Sequence, residues 1–214
     1  MTDRRIRPEA WWWLATAGAF AAGAALRLYR LQAQVLLGDE LHAVRAALSI
    51  PLPEILVAYR ITDYCLPLAG LARFVLERGG TLSELDFRWP VTVSGLLLLG
   101  AAPLVARRIS SPGAAFVYPW LLALSPGLVL YSRIARSYLP ATLLAVAAAA
   151  AFFAWWRTGR GRYGAAYAVL GALATWFSLV VAPFVGSALA FGALAKLGNR
   201  RRARRRERGE GASD

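Results

Sequence analysis

The chain has 214 residues, of which 58% are hydrophobic and only 17% are charged. Soluble domains have about 45–50% apolar and about 25% charged residues, so this composition excludes an ordinary water-soluble protein. We therefore interpret the net charge of +13 first as a signal of membrane topology, because basic residues collect on the cytoplasmic side. The single cysteine, Cys65, excludes an intrachain disulfide and a cysteine-built zinc site.

Long apolar runs follow one another along the chain, and most are close to the 20 residues that cross a bilayer. They cover residues 11–26, 89–106, 113–132, 137–156 and 163–195. The last run is too long for one span, and eight basic residues follow it within 196–208. A hairpin broken near 178–183 returns these charges to the cytoplasm. The sequence thus predicts an all-α integral membrane protein with about six transmembrane helices.

The distribution of charge sets the predicted topology. Residues 64–78 are apolar but short and contain Arg73, so we expect an amphipathic helix on the outer surface. This places sixteen basic residues inside and nine outside, as the positive-inside rule requires. The prediction is a membrane module over 1–197, with an external segment at 32–87 and an external turn at 133–136. A flexible basic tail, 198–214, and both termini then lie in the cytoplasm.

The long external segment is expected to contain short helices, since loops of this length rarely lack structure. One follows Asp39, which can act as its N-cap. A second starts at Pro53, and a third covers 64–78 and ends at Gly79. The first helix has apolar residues at helical spacing: Leu41, Val44 and Leu48.

Two adjacent carboxylates, Asp39 and Glu40, follow the first membrane segment. A carboxylate at the outer face can act as a general base on an acceptor hydroxyl. The alternative is that Asp39 only caps a helix and Glu40 is a favourable charge in its first turn. His42 is the one histidine of the chain and is expected to make a plain polar contact.

Two arginines, Arg133 and Arg136, lie three residues apart at the outer end of a predicted span. On a helical turn they would share a face and could clamp a phosphate. The alternative is that both extend to lipid headgroups. Because basic residues outside run against the topological preference, the two hypotheses are evenly matched.

The order of several short motifs resembles the GT-C superfamily of membrane glycosyltransferases. The bacterial branch concerned is related to protein mannosyltransferases and lipid A aminoarabinose transferases. The motifs are Gly38-Asp39-Glu40, Pro51-Leu52-Pro53-Glu54-Ile55-Leu56, Asp63 with Leu66-Pro67-Leu68, Phe87-Arg88-Trp89-Pro90, Leu124-Ser125-Pro126, and Tyr131-Ser132-Arg133 through Arg136-Ser137-Tyr138.

This resemblance implies a sugar transferase that uses a polyprenyl-phosphate donor at the outer face of the bacterial cytoplasmic membrane. Asp39 would be the catalytic base and Glu40 its partner, and attack by an acceptor hydroxyl of a glycan, lipid or protein would invert the anomeric carbon. Arg133 or Arg136 would neutralise the leaving phosphate. The implied substrate contacts also include three further residues: Asp63, Arg88 and Tyr138. No cofactor is expected, and a divalent metal is left open.

The chain also departs from this family. Residues 64–69 read Tyr-Cys-Leu-Pro-Leu-Ala where relatives have a His-Pro-Pro-Leu-Tyr-like stretch, so the histidine and tyrosine are missing. Relatives continue with further spans and often an external domain, so we expect an N-terminal module, a truncated product or a subunit that needs a membrane partner.

Three alternatives differ from a transferase. A catalytically inactive scaffold of the same descent would bind a partner without transferring sugar. A small transporter would carry ionisable groups inside its spans, and the charge-free runs argue against it. Nucleic-acid binding through the basic tail ranks last, since topology already accounts for the tail.

Overall fold

The computed structural model describes residues 8–36, 38–57 and 66–210, which form helices with no β-strand among them. The predicted all-α fold is confirmed. The helices are α1 Pro8–Leu28, α2 Glu40–Ser49, α3 Leu52–Val57, α4 Leu66–Glu77, α5 Glu84–Ile109, α6 Pro112–Leu124, α7 Pro126–Tyr131, α8 Tyr138–Thr158, α9 Gly161–Phe177 and α10 Ala182–Glu210.

The short helices predicted before the second long helix are present. α2 follows Asp39, α3 has Pro53 in its first turn, and α4 ends just before Gly79. Of the three apolar residues at helical spacing on α2, only Val44 is partly buried against the core. Leu41 and Leu48 are 37% and 64% exposed, while α2 buries three alanines against α4 and its neighbours: Ala43, Ala46 and Ala47. Small residues allow close helix packing, which the spacing of the larger side chains does not reveal.

Local signals explain where the main helices start and stop. Ser83 and Asp86 form a capping box at the start of α5. Gly79 has a φ of 77° and Gly159 a φ of 65°, the left-handed conformation that ends a helix most easily at glycine. Pro126 divides the predicted span 113–132 into α6 and α7, because proline offers no N–H to continue the ladder.

Contacts between distant residues define two ends of the bundle. At one, Glu9 and Trp12 of α1 meet Arg107 of α5 and the Ala115 carbonyl of α6. We name it the basic end, because the last turn of α5 carries Arg107 and Arg108 there. α8 starts at the opposite end, where Leu139 packs with Val91 of α5, and has 21 residues, so the turn that follows it, with Arg160, lies toward the basic end. The opposite end holds the last turn of α1, the start of α5 and the turn 132–137 that follows α7. This is the polar end, where α2, α3 and α4 pack.

The apolar core lies between α5 and its neighbours. Val91, Leu98 and Ala102 of α5 form one buried cluster with Leu139 at the start of α8. The same cluster includes residues from the short helices of the polar end: Ala43, Ala46, Ile55, Leu68 and Ala69. The short helices α2, α3 and α4 are therefore packed onto the bundle.

Three helical segments are long and apolar enough to cross a membrane: Glu84–Ile109, Tyr138–Thr158 and Leu179–Gly198. The predicted number of about six is not met. α6 has 13 residues and α9 has 17, a rise of about 20 and 26 Å at 1.5 Å per residue, which is short of a 30 Å hydrocarbon core. α1 is long enough but carries three tryptophans and Arg27.

The predicted break within residues 163–195 is present. α9 ends at Phe177, a short 3₁₀ turn covers Leu179–Val181, and α10 runs back toward the basic end. The backbone of α10 continues as a helix to Glu210, whereas the sequence predicted a flexible extension from residue 198.

Candidate functional site

A buried ion pair organises the polar end. Nη2 of Arg88 donates to Oε2 of Glu40 at 2.9 Å, and Nε donates to Oε1 at 3.2 Å. The side chains are 2% and 7% exposed. Oε1 of Glu40 also accepts the backbone N–H of Ala135 at 2.6 Å. Because both oxygens of Glu40 are engaged, this carboxylate joins α2, α5 and the turn 132–137.

Arg88 makes further contacts with the chain before α2. Nη1 donates to the carbonyl of Gln34, and Nη2 donates to the carbonyl of Val35 at 2.9 Å. All three guanidinium nitrogens thus bond within the protein. The structure places Arg88, predicted as a substrate contact, in the interior, where it anchors the loop that leads to Asp39.

Asp39 has the opposite environment to its neighbour. Its side chain is 72% exposed, and Oδ2 lies 3.6 Å from Nη2 of Arg136, whose side chain is 10% exposed. Nη1 of Arg136 donates to the Asp39 carbonyl at 3.2 Å. Asp39 occupies the N-cap position of α2, as predicted, but its side chain makes no capping hydrogen bond there. The structure presents this carboxylate to the exterior beside a guanidinium group.

Arg133 lies on the other side of the same loop. Its Nε donates to Oε1 of Gln34 at 3.1 Å, and its Nη1 donates to the carbonyl of Leu26 at 3.1 Å. Residues 132–137 form turns and bends rather than a helical turn. The helical spacing argument for a shared face with Arg136 therefore fails, although both arginines contact the chain between α1 and α2.

Three further residues were named from the sequence: Tyr138, His42 and Asp63. Tyr138 is exposed, packs edge-on against Tyr131 with ring centroids 5.0 Å apart, and lies beside the guanidinium of Arg136. His42 is partly buried on α2. Asp63 lies outside the described residues. The polar end thus brings together Asp39, Arg136 and Tyr138. Arg133 is connected to the same end through Gln34, whose side chain accepts from Arg133 and whose carbonyl accepts from Arg88.

Two polar residues at this end were missed by sequence reasoning. Arg27 is 2% exposed and Ser132 is fully buried, and Nε of Arg27 donates to Oγ of Ser132 at 3.1 Å. Arg27 is one of the nine basic residues that the charge distribution predicts outside. The signal that could have found it is an arginine in the last turn of a helix, where free carbonyls need donors.

The described residues contain no group of three or more His, Cys, Asp or Glu side chains that could hold a metal ion. The arrangement offers one exposed carboxylate, Asp39, and one arginine held against it, Arg136. It also offers Arg133, part of whose guanidinium edge is not bonded to any of the described residues. Such a set can accept a proton from a hydroxyl and can neutralise a phosphate oxygen.

The fold and this site define the class: an α-helical membrane protein with a polar, partly buried charge network at one end of the bundle. Three apolar helices of sufficient length support the membrane assignment. No protein-family model, curated protein or solved structure matches the chain.

Proposed function

We propose that the chain is a glycosyltransferase, or the membrane module of one, that moves a sugar from a polyprenyl-phosphate donor to an acceptor hydroxyl. The proposal places the polar end at the outer face of a bacterial cytoplasmic membrane and both termini in the cytoplasm. The observation that supports it is that two neighbouring carboxylates, Asp39 and Glu40, have different environments. Asp39 is exposed beside Arg136, while Glu40 is buried and fully bonded.

In the proposed reaction, the oxygen of the acceptor hydroxyl attacks the anomeric carbon, and its proton passes to the Asp39 carboxylate. The bond between the anomeric carbon and the phosphate oxygen breaks, and the electron pair leaves on that oxygen. Direct displacement of this kind inverts the anomeric carbon. Arg136, through its contacts with Asp39, would fix the orientation of the base.

Arg133 is the better candidate for the leaving phosphate. A guanidinium group has five N–H donors, and Arg133 uses Nε and one donor of Nη1 in the contacts with Gln34 and Leu26. Within the part of the chain that the structure describes, its Nη2 has no hydrogen-bond partner, and this edge could bind an anion. A planar edge of this type binds phosphate oxygens more strongly than a single ammonium group does.

The second candidate function is an inactive scaffold of the same descent. It is favoured by one observation: the arginines of the polar end bond extensively to the protein itself, which is also what a purely structural network would show. Sugar transfer by the purified chain separates the two candidates, since a scaffold transfers none.

The first test replaces Asp39 with asparagine, which is nearly isosteric but cannot accept the proton at neutral pH. We expect transfer of radiolabelled hexose or pentose from polyprenyl phosphate to fall by about 10²- to 10⁴-fold, the usual loss for a general base. Glu84→Gln is the matched control, because it removes an exposed negative charge at the same end of the bundle. A parental rate in the Asp39→Asn protein would remove Asp39 as the base.

The second test concerns the phosphate. Arg133→Gln should weaken the binding of polyprenyl phosphate in nanodiscs about tenfold, the equivalent of 1.4 kcal/mol, and Arg133→Lys should restore only part of it. Arg45→Gln, an exposed arginine on α2, is expected to leave the affinity unchanged. If lysine restored full affinity, a headgroup contact would explain Arg133 better than a phosphate ligand.

A further inference from the structure

Arg27 occupies a buried position where three parts of the bundle meet. Nη1 donates to the Gly23 carbonyl at 2.9 Å and to the Ala123 carbonyl at 3.2 Å, and Nη2 donates to the Leu122 carbonyl at 3.1 Å. With the bond from Nε to Ser132, four of its five N–H groups are used. Arg27 is therefore bonded mainly within the protein, and one N–H group at most remains for a ligand.

The Leu122 and Ala123 carbonyls near the end of α6 need a hydrogen-bond donor from outside their own helix. A carbonyl in a helix accepts from the N–H four residues later, and for Leu122 that residue is Pro126, which has no N–H. α6 ends at Leu124, so the Ala123 carbonyl is also among the last four of its helix. Arg27 supplies hydrogen bonds and a positive charge at this C-terminus, where the helix dipole favours a cation.

The bond from Nε of Arg27 to Ser132 connects Arg27 to the turn 132–137. Oγ of Ser132 accepts from Arg27 and donates to the Leu128 carbonyl at 2.5 Å. The Ser132 carbonyl accepts from Oγ1 of Thr92 on α5 at 2.8 Å. Gly95 lies directly opposite, and a Cβ at this position would overlap the Ser132 hydroxyl. Ser132 is thus held from α1 and α5 at once.

Ser132 immediately precedes Arg133, and Arg133 itself donates to the Leu26 carbonyl, one residue before Arg27. We propose that Arg27 is a positioning residue, which acts through Ser132 to hold the turn 132–137 and thereby places Arg133 toward the lipid phosphate. The role of Arg27 in holding the turn does not depend on the proposed function. Only the identification of the anion as a lipid phosphate rests on that function.

The first experiment measures the turn itself, by hydrogen–deuterium exchange of the amides of residues 133–136 in nanodiscs. Arg27→Lys keeps the charge but cannot bond Ser132 and both carbonyls at once. We expect exchange in the turn to rise about tenfold, which corresponds to the loss of about 1.4 kcal/mol of local protection. Exchange in the α8–α9 turn, residues 158–161 at the basic end, should not change. Arg30→Lys, an exposed arginine three residues later, is the matched control.

A second variant perturbs Ser132 while it leaves Arg27 intact. Gly95→Ala places a methyl group against the Ser132 hydroxyl and should raise exchange in the turn as Arg27→Lys does. Gly100→Ala, on the same helix, is its control, because a Cβ there meets only the Phe20 ring at an ordinary distance of 3.6 Å. This pair keeps the test informative if an Arg27 variant does not fold.

The third measurement asks whether Arg27 acts through Arg133. Arg27→Lys alone should weaken polyprenyl-phosphate binding, whereas in an Arg133→Gln background it should cause little further loss. Such non-additivity is expected when one residue only positions another. Equal losses in both backgrounds would mean that Arg27 affects the anion independently of Arg133.

The proposal is overturned if exchange in the turn 132–137 is unchanged in both Arg27→Lys and Gly95→Ala. It is also overturned if exchange rises equally in residues 158–161, since Arg27 would then support only global stability. If the parental chain does not bind polyprenyl phosphate, the proposed function fails. The exchange results still decide the positioning role, so the two failures can be told apart.

Discussion

The two ends of the bundle use arginine in different ways. At the polar end, Arg27, Arg88 and Arg136 are buried and each makes hydrogen bonds to other parts of the chain. At the basic end, Arg108 and Arg160 are exposed, and the ion pair between Arg107 and Glu9, the one present there among the described residues, is 3.8 Å long. The same side chain thus organises loops at one end and carries solvent-exposed charge at the other.

This difference has an energetic reason. Burying a cation costs several kcal/mol of lost hydration free energy unless its N–H groups meet acceptors and its charge meets a counter-charge. The partners of a buried arginine must therefore be placed accurately. An exposed ion pair contributes little because water screens it and the side chains lose entropy. The buried charges of the polar end should therefore be sensitive to single substitutions, and the exposed charges of the basic end should tolerate them.

The largest effect is expected from Glu40→Gln, which leaves Arg88 buried without its counter-charge. The free energy of unfolding should fall by about 3–5 kcal/mol, measured as the shift in SDS-induced unfolding in mixed micelles. The matched change at the basic end is Glu9→Gln, for which we expect roughly 0.5 kcal/mol or less, because Glu9 is 78% exposed.

A double variant, Glu40→Met with Arg88→Met, sharpens the same comparison. It removes both charges and should be less destabilised than Glu40→Gln, but it should not regain parental stability. The carbonyls of Gln34 and Val35 and the N–H of Ala135 lose their partners in this variant, and unsatisfied buried groups are costly. Equal losses for Glu40→Gln and Glu9→Gln would contradict the contrast between the two ends.

A smaller effect is expected at the basic end from Arg107→Gln. The Arg107 guanidinium lies 4.4 Å from the centroid of the Trp12 ring and 5.8 Å from that of Trp13, so the substitution removes cation–π contacts worth about 0.5–1 kcal/mol. The same SDS titration measures the change. Arg108→Gln, the exposed neighbour, should have no measurable effect, and a loss there as large as that of Arg107→Gln would assign the effect to net charge.

Local sequence signals determined much of the secondary structure. The apolar composition predicted an all-α membrane protein, and Pro53, Gly79 and the break near 178–183 marked helix boundaries that the structure has. These predictions succeed because a proline or glycine acts on the backbone within its own turn. The number of spans was overestimated, because the apolar runs at 113–132 and 163–195 contain two helices of only 13 and 17 residues, α6 and α9.

Only the tertiary structure distinguished the two adjacent carboxylates. Asp39 and Glu40 are alike in local sequence, yet Glu40 pairs with Arg88, 48 positions away, and with the N–H of Ala135, 95 positions away. Arg27 and Ser132 are separated by 105 positions, and nothing near either residue predicts their bond. Hydrophobic pattern and turn residues report on neighbours along the chain, whereas the burial of a charge depends on partners that packing brings from distant segments.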